Sequence, residues 1–248
     1  MNKVLESLTK HRSIRQYKDK PVSEKELAEI IKAAQAAPNW NNFQLVSIIA
    51  VKDRERRKLM AELCGGQAHV AQAPVFLIFC ADYYRVWQAL DRNDNQMKEI
   101  LDDVDTVIVG THEAAIACAT AVAAAESLGL GTVCIGDVRL HPEEMIRELG
   151  LPKYVFPVVG VCVGHAANDP GIRPRLPKEA VFFDDKYKIV ETDSIKQFDE
   201  TYVDYHKARQ ENGKNTSWTE EIAEFYKEPF HYPHTEAMLK KQGFLGGE

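Results

Sequence analysis

Two short basic clusters are the parts of this chain whose residue types favour ligand chemistry. The first reads His-Arg-Ser-Ile-Arg over residues 11–15, and the second reads Arg-Pro-Arg over residues 173–175. A buried phosphate is stable in a protein only when paired positive charge and several hydrogen-bond donors replace its water. The two clusters together would satisfy one phosphate, whereas each cluster alone is also compatible with ordinary solvated surface charge.

The composition limits the kind of ligand that these clusters could bind. The chain has 248 residues, of which 45% are hydrophobic, enough to bury a core in one domain or in two closely joined domains. Its formal net charge is −6, and basic clusters on an acidic protein favour a small anionic ligand over nucleic acid. The 5 cysteines form no CxxC pair, which favours buried free thiols in the reducing cytoplasm. Residues 1–6 lack the apolar segment of a secretory signal.

Hydrophobic periodicity and capping residues predict a mixture of helices with a few strands. Ser23 and Glu26 form a capping box before a helix that ends at Pro38. Further helices are predicted at 2–10, 54–63 and 142–149, and a short one after the glycine pair at 65–66. Strands are predicted at 45–51, 75–81, 132–135 and 155–163, and Pro157 indicates a strand start or an edge position. The pattern predicts an α+β fold.

The most apolar helix is predicted over residues 107–128 and is rich in alanine. Its uninterrupted apolar run is too short to span a bilayer, so we expect a buried helix and no membrane partner. Gly129 is expected to end this helix, because glycine readily adopts the left-handed conformation that follows a helix. The glycine-rich run at 129–136 lacks the spacing and the strand-then-helix order of a dinucleotide-binding loop.

The chain carries no recognisable constellation for catalysis by protein side chains alone. His112-Glu113 lacks the second histidine of a zinc protease, and the 8 histidines show no metal-ligand spacing. Neither a G-x-S-x-G nucleophile motif nor a spaced Cys/His pair occurs. We therefore expect no metal site and no catalytic side chain, so that any enzyme chemistry would be carried by a bound cofactor.

Several motifs in sequence order resemble the flavin-dependent nitroreductase superfamily. The first two are the run at 11–17 and the end of the capped helix at Ala36-Ala37-Pro38-Asn39. The later ones are Gly66-Gln67, residues 124–131, Ile135-Gly136, residues 173–177 and residues 241–244. Together they resemble the larger, NADPH-preferring branch, which includes oxygen-insensitive nitroreductases and flavin reductases with an extended C-terminal segment. The resemblance covers almost the whole chain.

This resemblance implies a fold, an assembly and a reaction. The implied fold is a small mixed sheet and surrounding helices around a long buried helix. A single FMN-binding domain would cover residues 1–248, and residues 165–248 would form a helical extension that wraps the partner and contributes to the NAD(P)H site. The implied protein is a cytoplasmic, intertwined homodimer with FMN at its interface. Hydride would pass by a ping-pong route from NAD(P)H to FMN, then to a nitroaromatic, a quinone, an azo compound or free flavin.

The resemblance also implies cofactor-binding positions. The FMN phosphate and ribityl chain would meet His11, Arg12, Ser13 and Arg15, with Arg173 and Arg175 on the other side of the phosphate. The isoalloxazine or ribityl group would meet the amides of Asn39, Asn41, Asn42 and Gln67. Amides suit this ring because it offers neighbouring donors and acceptors, although turn formation is an alternative role for the asparagines. The strand end that faces flavin N5 would be formed by Ile135, Gly136 and Asp137.

Two acidic residues, Asp137 and Glu211, depart from what the resemblance leads us to expect. Asp137 stands where a small neutral residue is expected, and an inward carboxylate would oppose the negative charge of a reduced flavin. Arg209 and Lys214 fall where this branch holds the 2′-phosphate of NADPH. Glu211 would weaken such a site, so NADH stays open as the hydride donor, and a solvated helix end is the alternative role for the pair.

Two other functions remain compatible with the sequence. A flavin reductase would release reduced FMN to a partner protein, and the sequence does not separate this activity from that of a nitroreductase. A non-enzymatic FMN-binding redox sensor is the alternative of another class. Such a sensor needs no hydride donor, so the basic pair Arg209 and Lys214 argues against it.

Overall fold

The computed structural model describes residues 2–190, 192–208, 215–228 and 232–247. The chain divides into two compact units. The first comprises Met1–Asp169 together with Tyr232–Glu248, and the second comprises Pro170–His231. The helices are α1 (Lys3–Thr9), α2 (Glu24–Gln35), α3 (Arg54–Leu63), α4 (Ala68–Gln72), α5 (Tyr84–Ala89), α6 (Asp94–Leu101), α7 (Val104–Ser127), α8 (Pro142–Leu149), α9 (Thr192–Lys207), α10 (Trp218–Phe225) and α11 (Thr235–Lys241).

The strands of the first unit form one sheet in the order β1-β2-β4-β3. They are β1 (Val46–Val51), β2 (Val75–Asp82), β3 (Gly131–Ile135) and β4 (Val155–Gly164). The ladders between these strands are antiparallel, so the sheet is antiparallel where a mixed one was expected. Helices between strands suggest parallel crossovers, but helical connections also join antiparallel strands, and hydrophobic periodicity carries no information on strand direction. A parallel pairing is present as the isolated bridge between Ser13 and Thr132.

The sheet is buried on both faces because alternate residues of its strands enter two separate cores. On β2, Leu77 and Phe79 enter the core that α2 and α7 cover, whereas Phe76 and Ile78 enter the core that α3 and α8 cover. All residues of β2 are therefore buried, although they alternate in direction. The expected α+β class, with a small sheet among helices, is confirmed.

The long helix α7 packs across the sheet with a face of small residues. Gly110, Ala114, Ala117, Ala121 and Ala125 are among its buried positions. By length and composition alone the whole helix is long enough to cross a membrane, and 33% of its most apolar 18-residue stretch is buried. Its position on the sheet identifies it as a core helix of the first unit.

Pro157 lies in an inner strand rather than at the sheet edge. The register between β2 and β4 shifts at Phe79 and Cys80, whose partners are Val159 and Pro157. On its other side, β4 pairs with β3 from Gly160 to Gly164, beyond the proline. A bulge explains why a proline is tolerated in this inner strand. The ladder is already interrupted at the place where Pro157 lacks an N–H.

In the described part of the second unit, α9 and α10 pack against each other through aromatic side chains. Phe198 of α9 contacts Trp218 of α10 edge to face, with ring centroids 5.6 Å apart. The Asp199 carboxylate accepts the backbone N–H of Thr219 at 2.9 Å, which satisfies a donor in the first turn of α10. The sequence pattern also predicts breaks in the C-terminal helices at Gly213 and Pro229, and both residues lie outside the described ones.

Candidate active site

The first basic cluster is held against β3 by close packing at a glycine. The backbone N–H of Ile14 donates to the carbonyl of Thr132 at 2.8 Å, and Ser13 pairs with Thr132 in parallel. A Cβ atom on Gly131 would lie 2.6 Å from Cγ1 of Ile14, so a glycine is required for this approach. Ile14 is 4% exposed, and it anchors the cluster whose polar residues flank it.

Glu126, near the end of α7, orients the beginning of the cluster. Its Oε1 atom lies 2.7 Å from Nδ1 of His11 and also accepts the Thr132 hydroxyl at 2.7 Å. Arg12 pairs with Asp169 at 2.8 Å, and both side chains are partly exposed to solvent. His11, Arg12 and Ser13 therefore lie at the Thr132 end of β3.

Arg15 extends the cluster along β3 toward Gly136. Because the bridge of Ser13 to Thr132 is parallel, the chain from Ser13 to Arg15 runs in the direction in which β3 approaches Gly136. Arg15 is exposed and forms no hydrogen bond or ion pair among the residues that the structure describes. Burial and then the Arg15 charge lower the pKa of His69, which favours the neutral imidazole beside this guanidinium.

Gln67 and Asp137 meet at the Gly136 end of β3. Nε2 of Gln67 donates to Oδ2 of Asp137 at 2.6 Å. The hydroxyl of Tyr232 donates to Oδ1 of the same carboxylate. Burial, and then the bond to Asp137, raise the pKa of Tyr232 to about 12, so the phenol keeps its proton. Ile135, the last residue of β3, is buried in the core, and Gly136 after it is exposed.

The asparagine loop is a separate polar group, held by a buried carboxylate of α7. Glu113 is 3% exposed, and it accepts the backbone N–H of Trp40 at 3.0 Å and that of Leu45 at 2.7 Å. Asn41 and Asn42 between these contacts have positive φ angles of 49° and 58°. Asparagine tolerates this left-handed conformation better than most residues, so the predicted turn role is part of the explanation for the asparagines.

A groove of about 640 Å³ opens beside this loop in the first unit. Its lining includes Asn39, Asn42, Arg85 and Glu113. Oδ1 of Asn39 is buried and has no hydrogen-bond partner in the part of the chain that the structure describes, so it is available as an acceptor for a bound group. Among the described residues, no hydrogen bond links the asparagine loop to Gln67 or Asp137.

The second basic cluster lies in the second unit. Arg173 donates to the Tyr202 hydroxyl at 2.9 Å and stacks over the ring of that tyrosine. The same hydroxyl donates to Glu221 at 2.6 Å. Arg175 is exposed and donates to the carbonyl of Arg173 at 3.1 Å. Whether the two basic clusters serve one phosphate stays a prediction, and Arg209 and Lys214 lie outside the described residues.

Some residues that organise the site were not identified from the sequence. Glu113 and Glu126 carried a usable signal, because an ionisable residue in an apolar helix needs a partner when it is buried. Asp169 and Tyr232 carried none, because their roles depend on contacts with residues more than 90 positions away in the chain.

Comparison with known proteins gives matches along nearly the whole chain. Residues 8–165 match the Nitroreductase family, and residues 173–246 match the Nitroreductase family, C-terminal domain. The chain is 49% identical over 247 residues to an FMN reductase [NAD(P)H] from Bacillus subtilis, covering 98% of each protein. It is 37% identical to an oxygen-insensitive NADPH nitroreductase from Salmonella typhimurium, covering 90% of each.

Solved structures match the fold at similar coverage. The hypothetical oxidoreductase YcnD from Bacillus subtilis superposes with a TM-score of 0.95 at 47% identity, covering 100% of both chains. The NADPH:FMN oxidoreductase from Vibrio harveyi, complexed with NAD+, superposes with a TM-score of 0.88 at 30% identity, covering 98% of this chain and 99% of that one.

Proposed function

Because this chain belongs to the nitroreductase family, we propose that it is an FMN-dependent oxidoreductase that accepts hydride from NAD(P)H and passes it to a small-molecule acceptor. The observation that carries the proposal is the row of polar groups along β3 from His11 to Asp137, on a chain that matches flavin reductases over its full length. Bound FMN would supply the redox chemistry, and the residues of this chain would bind and orient it.

The polar groups along β3 fit the two chemically different ends of FMN. His11, Arg12 and Ser13 lie at the Thr132 end, where cationic and hydroxyl donors suit a phosphate. Arg15 lies further along β3 and forms no ion pair among the described residues, so its guanidinium is available to the phosphate or to ribityl oxygens. Arg173 and Arg175 remain candidates for the same phosphate.

The Gly136 end of β3 suits the isoalloxazine ring. Thr132 and Gly136 are 4 positions apart in the sequence, about 13 Å along an extended strand. That span separates the proposed phosphate groups from Gln67 and Asp137, as an extended cofactor requires. The exposed backbone at Gly136 leaves room for a flat ring to approach.

We assign NAD(P)H as the hydride donor, with NADPH favoured by Arg209 and Lys214 in the sequence. The Vibrio harveyi relative is complexed with NAD+ in its solved structure, and this supports the proposal of a nicotinamide site in the present chain. The acceptor class comprises nitroaromatics, quinones, azo compounds and free flavin. Free flavin is favoured by the name of the Bacillus subtilis relative, FMN reductase, so release of reduced FMN to a partner protein is the second candidate function. A non-enzymatic sensor does not fit an enzyme family.

We propose that the active form is a homodimer in the cytoplasm. Apolar residues of α7 are exposed in the single chain, including Val104, Ile108 and Ile116 at 59%, 44% and 40%. On α1, which contacts α7, Val4 and Leu8 are also more than half exposed. A second copy of the chain would bury this surface. The free cysteines of the described residues agree with a reducing compartment.

An anaerobic reduction experiment tests this function. Purified protein is expected to be yellow, to hold one FMN per chain, and to lose its flavin absorbance when NADPH or NADH is added without oxygen. Addition of a quinone, a nitroaromatic or excess free FMN should then restore the absorbance of the bound flavin. A colourless protein that takes up no added FMN, or a bound flavin that neither nucleotide reduces, would overturn the proposal.

A further inference from the structure

The carboxylate of Asp137 is shared between two hydrogen-bond donors of different origin. Nε2 of Gln67, 70 positions earlier, donates to Oδ2 at 2.6 Å. The hydroxyl of Tyr232, 95 positions later, donates to Oδ1. Asp137 is half-buried and directly follows Gly136, so this small network lies where the proposed flavin ring would approach.

The chemistry of a carboxylate fixes the orientation of the Gln67 amide. An ionised carboxylate only accepts hydrogen bonds, so the NH₂ group of Gln67 must face Asp137. The oxygen of the same amide then points away from Asp137. Oε1 of Gln67 makes no hydrogen bond within the described part of the chain, so an acceptor is left for a ligand.

The backbone around Gln67 supports this orientation. Gly65 and Gly66 have φ angles of 72° and 75°, a left-handed turn that brings the chain onto Asp137. A Cβ atom on Gly65 would lie 3.6 Å from Oδ2 of Asp137 and 3.2 Å from Leu140. Gln67 is the N-cap residue of α4, but its side chain does not cap the helix, because its amide is used by Asp137.

We propose that Asp137 is a positioning residue, which holds the Gln67 amide so that its oxygen, and not its NH₂ group, faces the bound FMN. This inference rests on the proposed function. The FMN group that meets Gln67 must then be a donor, and the donors that oxidised FMN offers are the imide N–H of the ring and the ribityl hydroxyls. Asp137, whose charge was expected to oppose the negative charge of a reduced flavin, would thus orient the amide of Gln67.

A double-mutant cycle on FMN affinity tests the proposal. The apoproteins of wild type, Asp137→Asn, Gln67→Ala and the double variant are titrated with FMN, whose fluorescence is quenched on binding. Asparagine can present NH₂ to Gln67 and turn its amide, so Asp137→Asn should raise the Kd for FMN by roughly 3- to 10-fold. In the Gln67→Ala background the same substitution should leave the Kd unchanged, because its effect passes through Gln67.

Each other outcome overturns part of the argument. If Asp137→Asn tightens FMN binding, the charge of Asp137 outweighs its positioning role, and the proposal is wrong. An equal effect in both backgrounds means that Asp137 acts without Gln67, which also contradicts it. If wild type binds no FMN, the proposed function fails together with this inference, whereas FMN binding that is indifferent to Asp137→Asn refutes the inference alone.

Two further measurements distinguish a positioning role of Asp137 from a general loss of structure in the variants. Asp94→Asn is the matched control, because Asp94 accepts Trp87 Nε1 at 2.8 Å and the Tyr154 hydroxyl at 3.1 Å away from the predicted site residues. Its Kd for FMN should equal that of wild type. In wild-type apoprotein, the Nε2 hydrogens of Gln67, assigned by NMR against Gln67→Ala, should exchange slowly with water. Exchange as fast as that of an exposed glutamine would also overturn the proposal.

Discussion

The backbone N–H of Leu45 donates to the buried carboxylate of Glu113 at 2.7 Å, across 68 positions of the chain. The second oxygen of Glu113 accepts the N–H of Trp40 at 3.0 Å. One side chain of α7 thus closes both ends of the asparagine loop. Neither N–H bonds to a backbone carbonyl of the described helices and strands, so this carboxylate satisfies two backbone donors that would otherwise lack a partner there.

Substitution of Glu113 should destabilise the protein in a graded way. A hydrogen bond to a charged group contributes about 1.5–3 kcal/mol, and glutamine keeps one acceptor while presenting NH₂ to the other N–H. Glu113→Gln should therefore lower the free energy of unfolding of the apoprotein by about 1.5–3 kcal/mol, and Glu113→Ala by more. Urea unfolding measures both. Glu99→Ala, at an exposed position of α6, is the control and should change stability by no more than about 0.5 kcal/mol.

Removal of the Arg15 side chain should weaken FMN binding far more than replacement of Arg12 by lysine. Arg15 has no ion-pair partner among the described residues, whereas Arg12 is engaged with Asp169 at 2.8 Å. Loss of a charge-assisted hydrogen bond costs roughly 1.5–3 kcal/mol, which corresponds to roughly 10- to 150-fold in affinity. Fluorescence titration of apoprotein with FMN should show this weakening for Arg15→Ala and a much smaller change for Arg12→Lys, which keeps the charge. Equal affinity of Arg15→Ala and wild type would contradict the assignment.

Cys134 should be the reactive thiol of the chain. It is exposed on β3, where the sequence predicted a buried thiol, whereas the other cysteines are buried. A hydrogen bond with Cys118 lowers the pKa of Cys134 to about 7, and the same bond raises the pKa of Cys118. The thiolate is the nucleophile, so alkylation of Cys134 by iodoacetamide should rise as the pH passes through this value.

Removal of Cys118 should reverse this effect. In Cys118→Ala the pKa of Cys134 returns toward its ordinary range, so the alkylation rate at pH about 7 should fall roughly tenfold. Cys64→Ala, which removes a buried thiol elsewhere, should leave the rate unchanged. Mass spectrometry of the alkylated peptides locates the reaction, and a rate that is unaffected by Cys118→Ala would exclude the thiol pair as its cause.

Local sequence patterns predicted the helices and strands named above. The features that were not predicted depend mostly on contacts between residues far apart in the chain. The capping box of Ser23 and Glu26 and the helix that Gly129 follows are encoded in neighbouring residues, and both are found. Strand direction is not encoded locally, and the sheet proved antiparallel. The residue types of the basic cluster indicated a phosphate site, but the partners of Asp137 come from distant segments that no spacing rule connects.

The exposed side of α7 should be a subunit interface. Ile116 is 40% exposed on this helix, whose opposite face packs on the sheet. A carboxylate placed there would lose its water in a dimer, so Ile116→Glu should convert a dimer into a monomer in light scattering at low micromolar concentration. Lys58→Gln changes the net charge by the same amount on α3, at an exposed position, and should remain dimeric. A wild-type protein that is a stable FMN-loaded monomer would contradict the prediction.

Arg209 should set the preference between the two nicotinamide donors. In the sequence, Arg209 and Lys214 form a close basic pair in the segment that resembles the nucleotide-binding region, and the 2′-phosphate of NADPH brings nearly two negative charges. Each cation at a half-exposed site contributes about 0.5–1 kcal/mol. The pair should therefore favour NADPH over NADH by roughly 5- to 30-fold in kcat/KM, less at high salt and with Glu211 nearby.

The variant Arg209→Ala separates a specificity role from a structural one. Activity with NADPH should fall, because its 2′-phosphate loses a cationic partner. Activity with NADH should be nearly unchanged, because NADH has no 2′-phosphate. Lys207→Ala is the matched control, since Lys207 is an exposed cation of the same segment that pairs with Asp204 at 3.5 Å. It should affect neither donor. If both donors lose activity in Arg209→Ala, the residue is structural, and if neither does, other residues hold the 2′-phosphate and the assignment of this segment is wrong.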